Sequence, residues 1–394
     1  MFFNPILGVF APQLEAEFDW SRASIAAAIT IGSLAAAVVA PVTGWVVDRY
    51  GGRWVITAAG ITMAIALIFL SGLHSLWQLY LFYAIGRGVS MSGVNNVGFV
   101  VVSNWFVRKR PRVIGLVTLS QRVGMALLPL YLAMVISFAG DWRAGWLALA
   151  VVALIFGVVP PALFIHRRPE DIGLLPDGDP VPSARDSAAL SVDDGDFTLR
   201  EAVATRAYWF MGVAIGLMML TGGSINFHQI PYLVDEGFGS TEAASIIALF
   251  SAFGALGGLV GGAFAERVTA RRTLVISLLG MAIGPLLLLQ VDAFGTAALY
   301  AVVYGLFFGS GVAMNQAIYA DYFGRTSLGV IRGSFQPAQL VLNAAGPFLT
   351  GLWVDQAGSY NVPFIVFTCC LLVSAGLLFL APIPRRPTLS GTAP

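Results

Sequence analysis

Apolar runs follow one another along almost the whole chain, separated by short polar knots. Many reach the roughly 20 residues that cross a hydrocarbon core. They predict helices near 24–47, 54–73, 77–105, 111–138, 144–165, 207–233, 241–265, 273–291, 296–320, 331–354 and 362–382. No alternating barrel pattern is present, so the peptide groups of these runs must satisfy one another within helices. Ahead of them lies 2–14, apolar but shorter than a span. The expectation is an all-α membrane protein of twelve helices, six and six, with the first truncated at the N-terminus.

One polar knot occurs twice. Gly44, Asp48, Arg49 and Arg53 recur as Gly262, Glu266, Arg267 and Arg271, each 218 positions later. Both copies close one apolar run and open the next. A charged hairpin repeated at that distance in so apolar a chain predicts two related halves, the layout of a secondary transporter.

Composition agrees with the pattern. Hydrophobic residues make up 57% of 394 and charged residues 11%, against about 25% charged in a soluble domain. The net charge of +1 is uninformative; its distribution is not. Of the 22 basic residues, eighteen fall on the side of the two hairpins, two (Arg22 and Arg143) on the other side, and Arg87 and Arg122 inside helices. By the positive-inside rule the hairpins, the central linker and the C-terminus face the cytoplasm, in a multi-pass protein of the inner membrane. The linker, 167–205, holds nine of the 21 acids and several prolines. It reads as a flexible tether with a short amphipathic helix at 199–204. The halves are expected at 1–166 and 206–384, with a cytoplasmic tail at 385–394. Cys369 and Cys370 are adjacent in an apolar run and read as buried thiols.

Two six-helix halves, the doubled Gly-x-x-x-Asp/Glu-Arg-x-x-x-Arg hairpin and the long middle loop resemble the major facilitator superfamily over essentially the whole chain. Local phrases narrow the resemblance: 17–22 (EFDWSR), 141–143 (DWR), 168–178 (RPEDIGLLPDG) and 228–232 (HQIPY). Together they resemble the bacterial monocarboxylate-porter and oxalate–formate-antiporter branch, which implies carriage of small carboxylates by alternating access. It also implies that the hairpins act as a conformational latch. Two features of that branch are absent: 241–261 has Glu242 as its one charge, and 333–354 has no basic residue.

A charge at mid-bilayer costs about 3 kcal/mol on insertion scales. All the acids sit in loops, in the linker or at helix ends. Arg87 and Arg122 lie about ten and eleven residues into oppositely running helices, near the midplane at about 1.5 Å per residue. A planar guanidinium fork matches a carboxylate, so both are candidate anion ligands. Arg87, Met91 and Asn95 share one α-helical face by spacing. Asn226, His228 and Gln229 cluster; Asn315 and Tyr319 lie one turn apart; Gln336, Gln339 and Asn343 make a stripe. Amides at that depth need partners, which a polar cavity or an interhelical bond supplies. Histidine is the side-chain type whose ordinary charge change falls near neutrality, which makes His228 a candidate proton carrier.

The reading is a secondary carrier, symporter or antiporter, for a small organic anion, a mono- or dicarboxylate. Its partners are that anion, protons as a further candidate, and the lipid bilayer. An efflux carrier for amphipathic drugs or metabolites is the alternative, and a non-transporting membrane sensor a third. No catalytic residues, cofactor or nucleic acid are expected. His74, His166 and His228 are too scattered for a metal site, and no Gly-x-x-x-x-Gly-Lys-Ser/Thr run is present. A monomer is expected.

Overall fold

The computed structural model describes residues 4–179 and 196–384. The middle of the expected linker, with Arg185, and the expected tail 385–394, with Arg385 and Arg386, lie outside the described residues. The first helix, α1, runs Asn4–Phe18. It is followed by α2 (Arg22–Tyr50), α3 (Gly52–Ser71), α4 (Leu76–Gly88), a π-helical segment Val89–Asn96 and α5 (Val97–Trp105). Then come α6 (Arg110–Ala139), α7 (Trp142–Gly157) and α8 (Val159–Phe164). After the linker, with its short helix α9 (Leu199–Val203), come α10 (Arg206–Asp235), α11 (Ser240–Arg267), α12 (Ala270–Leu288), α13 (Phe294–Phe323), α14 (Leu328–Ala357) and α15 (Asn361–Leu380).

Every expected span corresponds to a helix or a broken helix, with ends displaced by no more than three residues. Polar caps set several of those ends. Ser21 accepts from the Ser24 amide, Asp141 from that of Arg143 and Thr205 from that of Tyr208, each satisfying an otherwise orphaned first-turn donor. Nine helices among the described residues are long and apolar enough to cross a membrane. Three fall short for visible reasons. The first is only 15 residues long, the span 76–105 is cut by its π segment, and α14 carries Arg332, Gln336, Gln339 and Asn343.

By contact the chain forms two compact units. Unit 1 comprises Met1–Trp105, Val117–Gly173 and Arg332–Leu340; unit 2 comprises Phe106–Leu116, Leu174–Ile331 and Val341–Pro394. Unit 1 is built on a dry core in which Phe10 stacks on Trp146 at 3.8 Å, with Leu67, Leu70, Tyr83 and Leu149 packed around them. Within it, a Cβ on Gly333 of α14 would lie 2.7 Å from the Ala40 carbonyl of α2. Unit 2 repeats the device on α6, where a Cβ on Gly115 would lie 2.6 Å from the Gly258 carbonyl. Its α11 and α13 run backbone against backbone. A Cβ on Gly257 would overlap the Leu306 carbonyl, and one on Gly309 that of Gly254. Small residues let transmembrane helices approach this closely, and dispersion then holds them.

The described parts of the linker are anchored at both ends. The carboxylate of Asp177 accepts backbone hydrogen bonds from Val107, Arg108 and Lys109 at 3.2, 2.8 and 3.0 Å. It thereby caps the turn that opens α6. Asp196 accepts from the Arg325 amide at 2.7 Å and from the Thr326 hydroxyl, in the turn that opens α14. The two turns are a second internal repeat. Phe106, Arg108, Val113 and Ile114 recur as Phe323, Arg325, Val330 and Ile331, each 217 positions on. One linker aspartate thus serves the same amide in each copy. The expected short helix is present as α9, closed by a Thr198–Glu201 capping box.

Gly257→Ala is expected to force α11 and α13 apart and to cost about 1–3 kcal/mol, the usual range for overpacking. Thermal unfolding of the purified protein reads it as a fall of several degrees in midpoint. Asp177→Ala removes a cap worth about 1–2 kcal/mol. Burial pushes the Asp177 carboxyl up, but the three amides of Lys109, Arg108 and Val107, with the charge of Arg108, outweigh it and hold the group below its ordinary 3.8. Its stabilisation is therefore complete above that value and is lost as pH falls through the acid range beneath it. The wild type should lose more stability than Asp177→Ala on acidification below about pH 4.

Candidate functional site

The helical span 76–105 carries most of the polar chemistry of unit 1. Its middle, VSMSGVNN, is poor in strong helix formers, and Gly93 brings it so close to α3 that a Cβ there would meet Ala59 at 2.9 Å. This stretch winds as a π-helix, a conformation found disproportionately at functional sites. Its wider turn changes which residues share a face. The α-helical stripe expected for Arg87, Met91 and Asn95 is therefore replaced by three divergent contacts. Ser92 donates to the Ala36 carbonyl of α2 at 2.8 Å. Asn95 accepts from Gln121 of α6 at 3.2 Å. Asn96 accepts from Arg332 of α14 at 3.0 Å.

Arg87 lies immediately before the π segment and is 8% exposed. Its stem runs past Gly32, where a Cβ would come within 2.7 Å of the arginine Cδ. Its Nε donates to the Ser33 hydroxyl at 3.1 Å. Ser33 in turn gives its own proton to the Ile29 carbonyl at 2.8 Å, leaving a lone pair for the guanidinium. That bond fixes the plane of the guanidinium. Arg122, next to Gln121 on α6, is half-buried. The sequence assigned Arg332 to the basic edge, yet it is 7% exposed and lies 5.2 Å from the Phe99 ring. Gln336, one turn along α14, has a buried Oε1 with no hydrogen-bond donor among the described residues; the Nδ2 of Asn96 likewise finds no acceptor there.

In unit 2 each of the expected polar residues bonds a partner within the protein. His228 Nε2 lies 2.9 Å from the Pro347 carbonyl and Nδ1 lies 3.2 Å from the Tyr360 hydroxyl. A carbonyl only accepts, so Nε2 donates to it, and with Nδ1 against the Tyr360 hydroxyl the ring joins α10, α14 and the start of α15. Asn226 is exposed and donates to Gly222 of its own helix at 2.7 Å. Gln229 accepts from Tyr300 at 3.0 Å. Asn315 and Tyr319, both buried, bond each other at 3.3 Å. Asn343 is exposed and donates to the Met219 carbonyl of α10 at 3.1 Å. Gln339 is half-buried and, like Gln336, belongs to unit 1 rather than with Asn343, because the unit boundary cuts the stripe between Leu340 and Val341.

The repeated hairpins share a sequence but not their contacts. In unit 1, Arg49 lies over the rings of Trp45 and Tyr50 at 5.5 and 5.6 Å, and Arg53 over Trp54 at 5.1 Å. The Asp48 carbonyl accepts from Arg167, beyond α8, at 2.6 Å. Gly51, with φ 81°, makes the turn; a Cβ there would meet Arg167 at 2.9 Å. In unit 2 the direction is reversed. Arg271 reaches out from the hairpin to the last carbonyls of α15, Leu378 at 3.1 Å and Phe379. Gly262 lies against α6, where a Cβ would approach the Pro111 carbonyl to 2.6 Å, while Glu266 and Arg267 are exposed. Each hairpin is thus tied by an arginine on a backbone carbonyl, the first to the chain just beyond α8 and the second to the end of α15.

At the opposite end of unit 1, two of the phrases singled out by sequence fold onto each other. Glu17 accepts from Trp142 Nε1 at 2.6 Å and pairs with Arg143 at 2.5 Å, and that guanidinium lies 4.4 Å from the Trp142 ring. Sequence reasoning passed over the pair formed by Arg110 and Asp321 in unit 2, at 2.5 Å, with Arg110 almost fully buried. The second repeat would have flagged it, since Asp321 lies just before the recurring Phe323.

The family model described as Major Facilitator Superfamily matches residues 1–235 and 211–394. Monocarboxylate transporter 11 of Mus musculus is 27% identical, over 96% of this chain and 83% of its own length. The hexuronate transporter of Bacillus subtilis is 24% identical over 97% and 91%. Among solved structures, the E. coli fucose:proton symporter superposes with a TM-score of 0.75 at 11% identity, covering 96% of this chain and 95% of that one. With helices throughout, a doubled charged hairpin and a match that runs from end to end, this chain belongs to the Major Facilitator Superfamily and is a multi-pass membrane transporter of a small molecule rather than an enzyme.

Proposed function

We propose that the protein carries a small organic anion, a mono- or dicarboxylate or a hydroxylated acid, across the cytoplasmic membrane by alternating access. The observation that carries this reading is the charge balance of unit 1. From α2 to α8 the helices contain one acid, Asp48, in the last turn of α2, while Arg87 and Arg122 lie deep in their spans. Their membrane interior is therefore cationic by composition, and an anionic cargo complements it. The Ser33 bond supports the same reading, because an oriented guanidinium loses less entropy on meeting a carboxylate. The unmatched Asn96 Nδ2 and Gln336 Oε1 suit a cargo that also carries hydroxyl groups. Relatives named for monocarboxylates and for hexuronate are consistent with that chemistry. The arginine-rich end faces the cytoplasm on this reading, and the repeated hairpins bias the two access states there.

Counterflow into proteoliposomes tests the proposal, with lactate, a dicarboxylate and galacturonate offered beside a neutral sugar and a hydrophobic amine. Wild type should exchange at least one of the acids and neither neutral nor cationic compound. A charge-assisted hydrogen bond is worth about 1.5–3 kcal/mol, so Arg87→Gln should weaken apparent affinity by about 10- to 150-fold. Arg87→Lys, which keeps the charge but loses the fork, should fall between the two. Transport of the amine alone would instead favour efflux.

A further inference from the structure

The pair Arg110–Asp321 differs from the other charge contacts among the described residues in how unevenly it is exposed. Arg110 opens α6 and its side chain is 4% exposed; Asp321 sits in the last turn of α13 and its side chain is 36% exposed. One carboxylate oxygen receives the guanidinium at 2.5 Å, while Nε of Arg110 donates to the Phe106 carbonyl at 3.0 Å. The acid also lines an open cavity of about 890 Å3 at the arginine-rich end of unit 2. A buried cation thus meets an acid that water can reach.

Both sides of this contact are braced. Asp177 holds the amides of residues 107–109, directly before Arg110. Asp196 holds Arg325, shortly after Asp321. Small movements of either turn are therefore resisted, and the ion pair is the element left to switch. The second repeat shows that the pair is not a general requirement of the turn. The positions equivalent to Asp321 and Arg110 in the other copies are Asn104 and Ser327, neither of which ionises.

We infer that Asp321 is a proton-binding site, whose carboxylate holds either the Arg110 guanidinium or a proton taken up from the cavity, and that this exchange frees the start of α6 from the end of α13. Water in the cavity delivers the proton to a carboxylate oxygen, giving a neutral carboxylic acid; no other bond forms or breaks. Arg110 then loses this ion pair while still buried, which is costly unless the segment opens and water reaches it. By linkage, opening and proton uptake favour one another. The surrounding charges bear on the balance from each packed element. Arg271 and Arg272 of α12 and Tyr322 of α13 line the same cavity, and Arg325 and Asp177 act on Arg110 from the two turns. The inference leans on the transport reading only for the use of the proton in the carrier cycle.

Hydrogen exchange of the full-length protein in lipid nanodiscs tests it without any substrate, so the outcome is independent of the anion assignment. Peptides covering 106–116 and 321–331 are followed at about pH 7.5 and about pH 5.5, with rates corrected for intrinsic chemistry. In the wild type they should exchange at least about tenfold faster at the lower pH. Asp321→Asn, which mimics the protonated acid, should exchange fast at both. Equal wild-type rates at the two pH values, or an Asp321→Asn protein that keeps the wild-type pH response, would overturn the inference. If Asp321→Asn does not fold, Arg110→Gln serves: it should exchange fast at both values, and a retained pH response would place the proton elsewhere.

Discussion

A guanidinium taken out of water still needs hydrogen bonds, and much of this molecule is arranged to supply them. Arg87 is met by a serine hydroxyl, Arg332 by an asparagine amide and a phenyl ring, and Arg110 by a carbonyl and a carboxylate. Arg167 and Arg271 reach the carbonyls of helix ends. The π segment exists on the same terms, since its wider turn turns Asn95 and Asn96 toward different neighbours. These contacts join elements far apart in sequence. The helices could satisfy their own peptide groups alone, but they could not place these cations alone.

The helices were legible because hydropathy reports directly on the length of a span, and caps such as Ser21, Asp141 and Thr205 mark where spans begin. The doubled hairpin at Gly44 and Gly262 was legible for the same local reason. Depth was not. Counting basic residues told Arg332 and Arg110 which end they occupy, but burial depends on neighbours more than 200 residues away. The π segment was hidden because its bonding answers to packing against α3 and α6, while its composition suggests only weak helix propensity. His228 stood out in the sequence by residue type alone. Its two partners, Pro347 and Tyr360, come from α14 and from the turn before α15, which no spacing rule brings together.

Duplication left its mark twice, and the copies have drifted in instructive ways. The hairpins kept their charges yet reversed the direction of their tether: the first receives Arg167, and the second extends Arg271. The turns before α6 and α14 kept a phenylalanine and an arginine. They also kept the habit of being capped by an aspartate from outside, and both caps come from the one linker. Where the copies differ in charge, at Asn104 against Asp321, the difference supplies the acid that pairs with buried Arg110.

The double anchoring of the linker has a consequence for how the chain tolerates change. Asp177 and Asp196 fix the ends of the intervening segment through hydrogen bonds to turns on the body of the protein. Lengthening a loop whose ends are already held adds only about 0.6 kcal/mol for each doubling. Replacing either acid, by contrast, strips the acceptor from backbone amides of the turns that open α6 and α14.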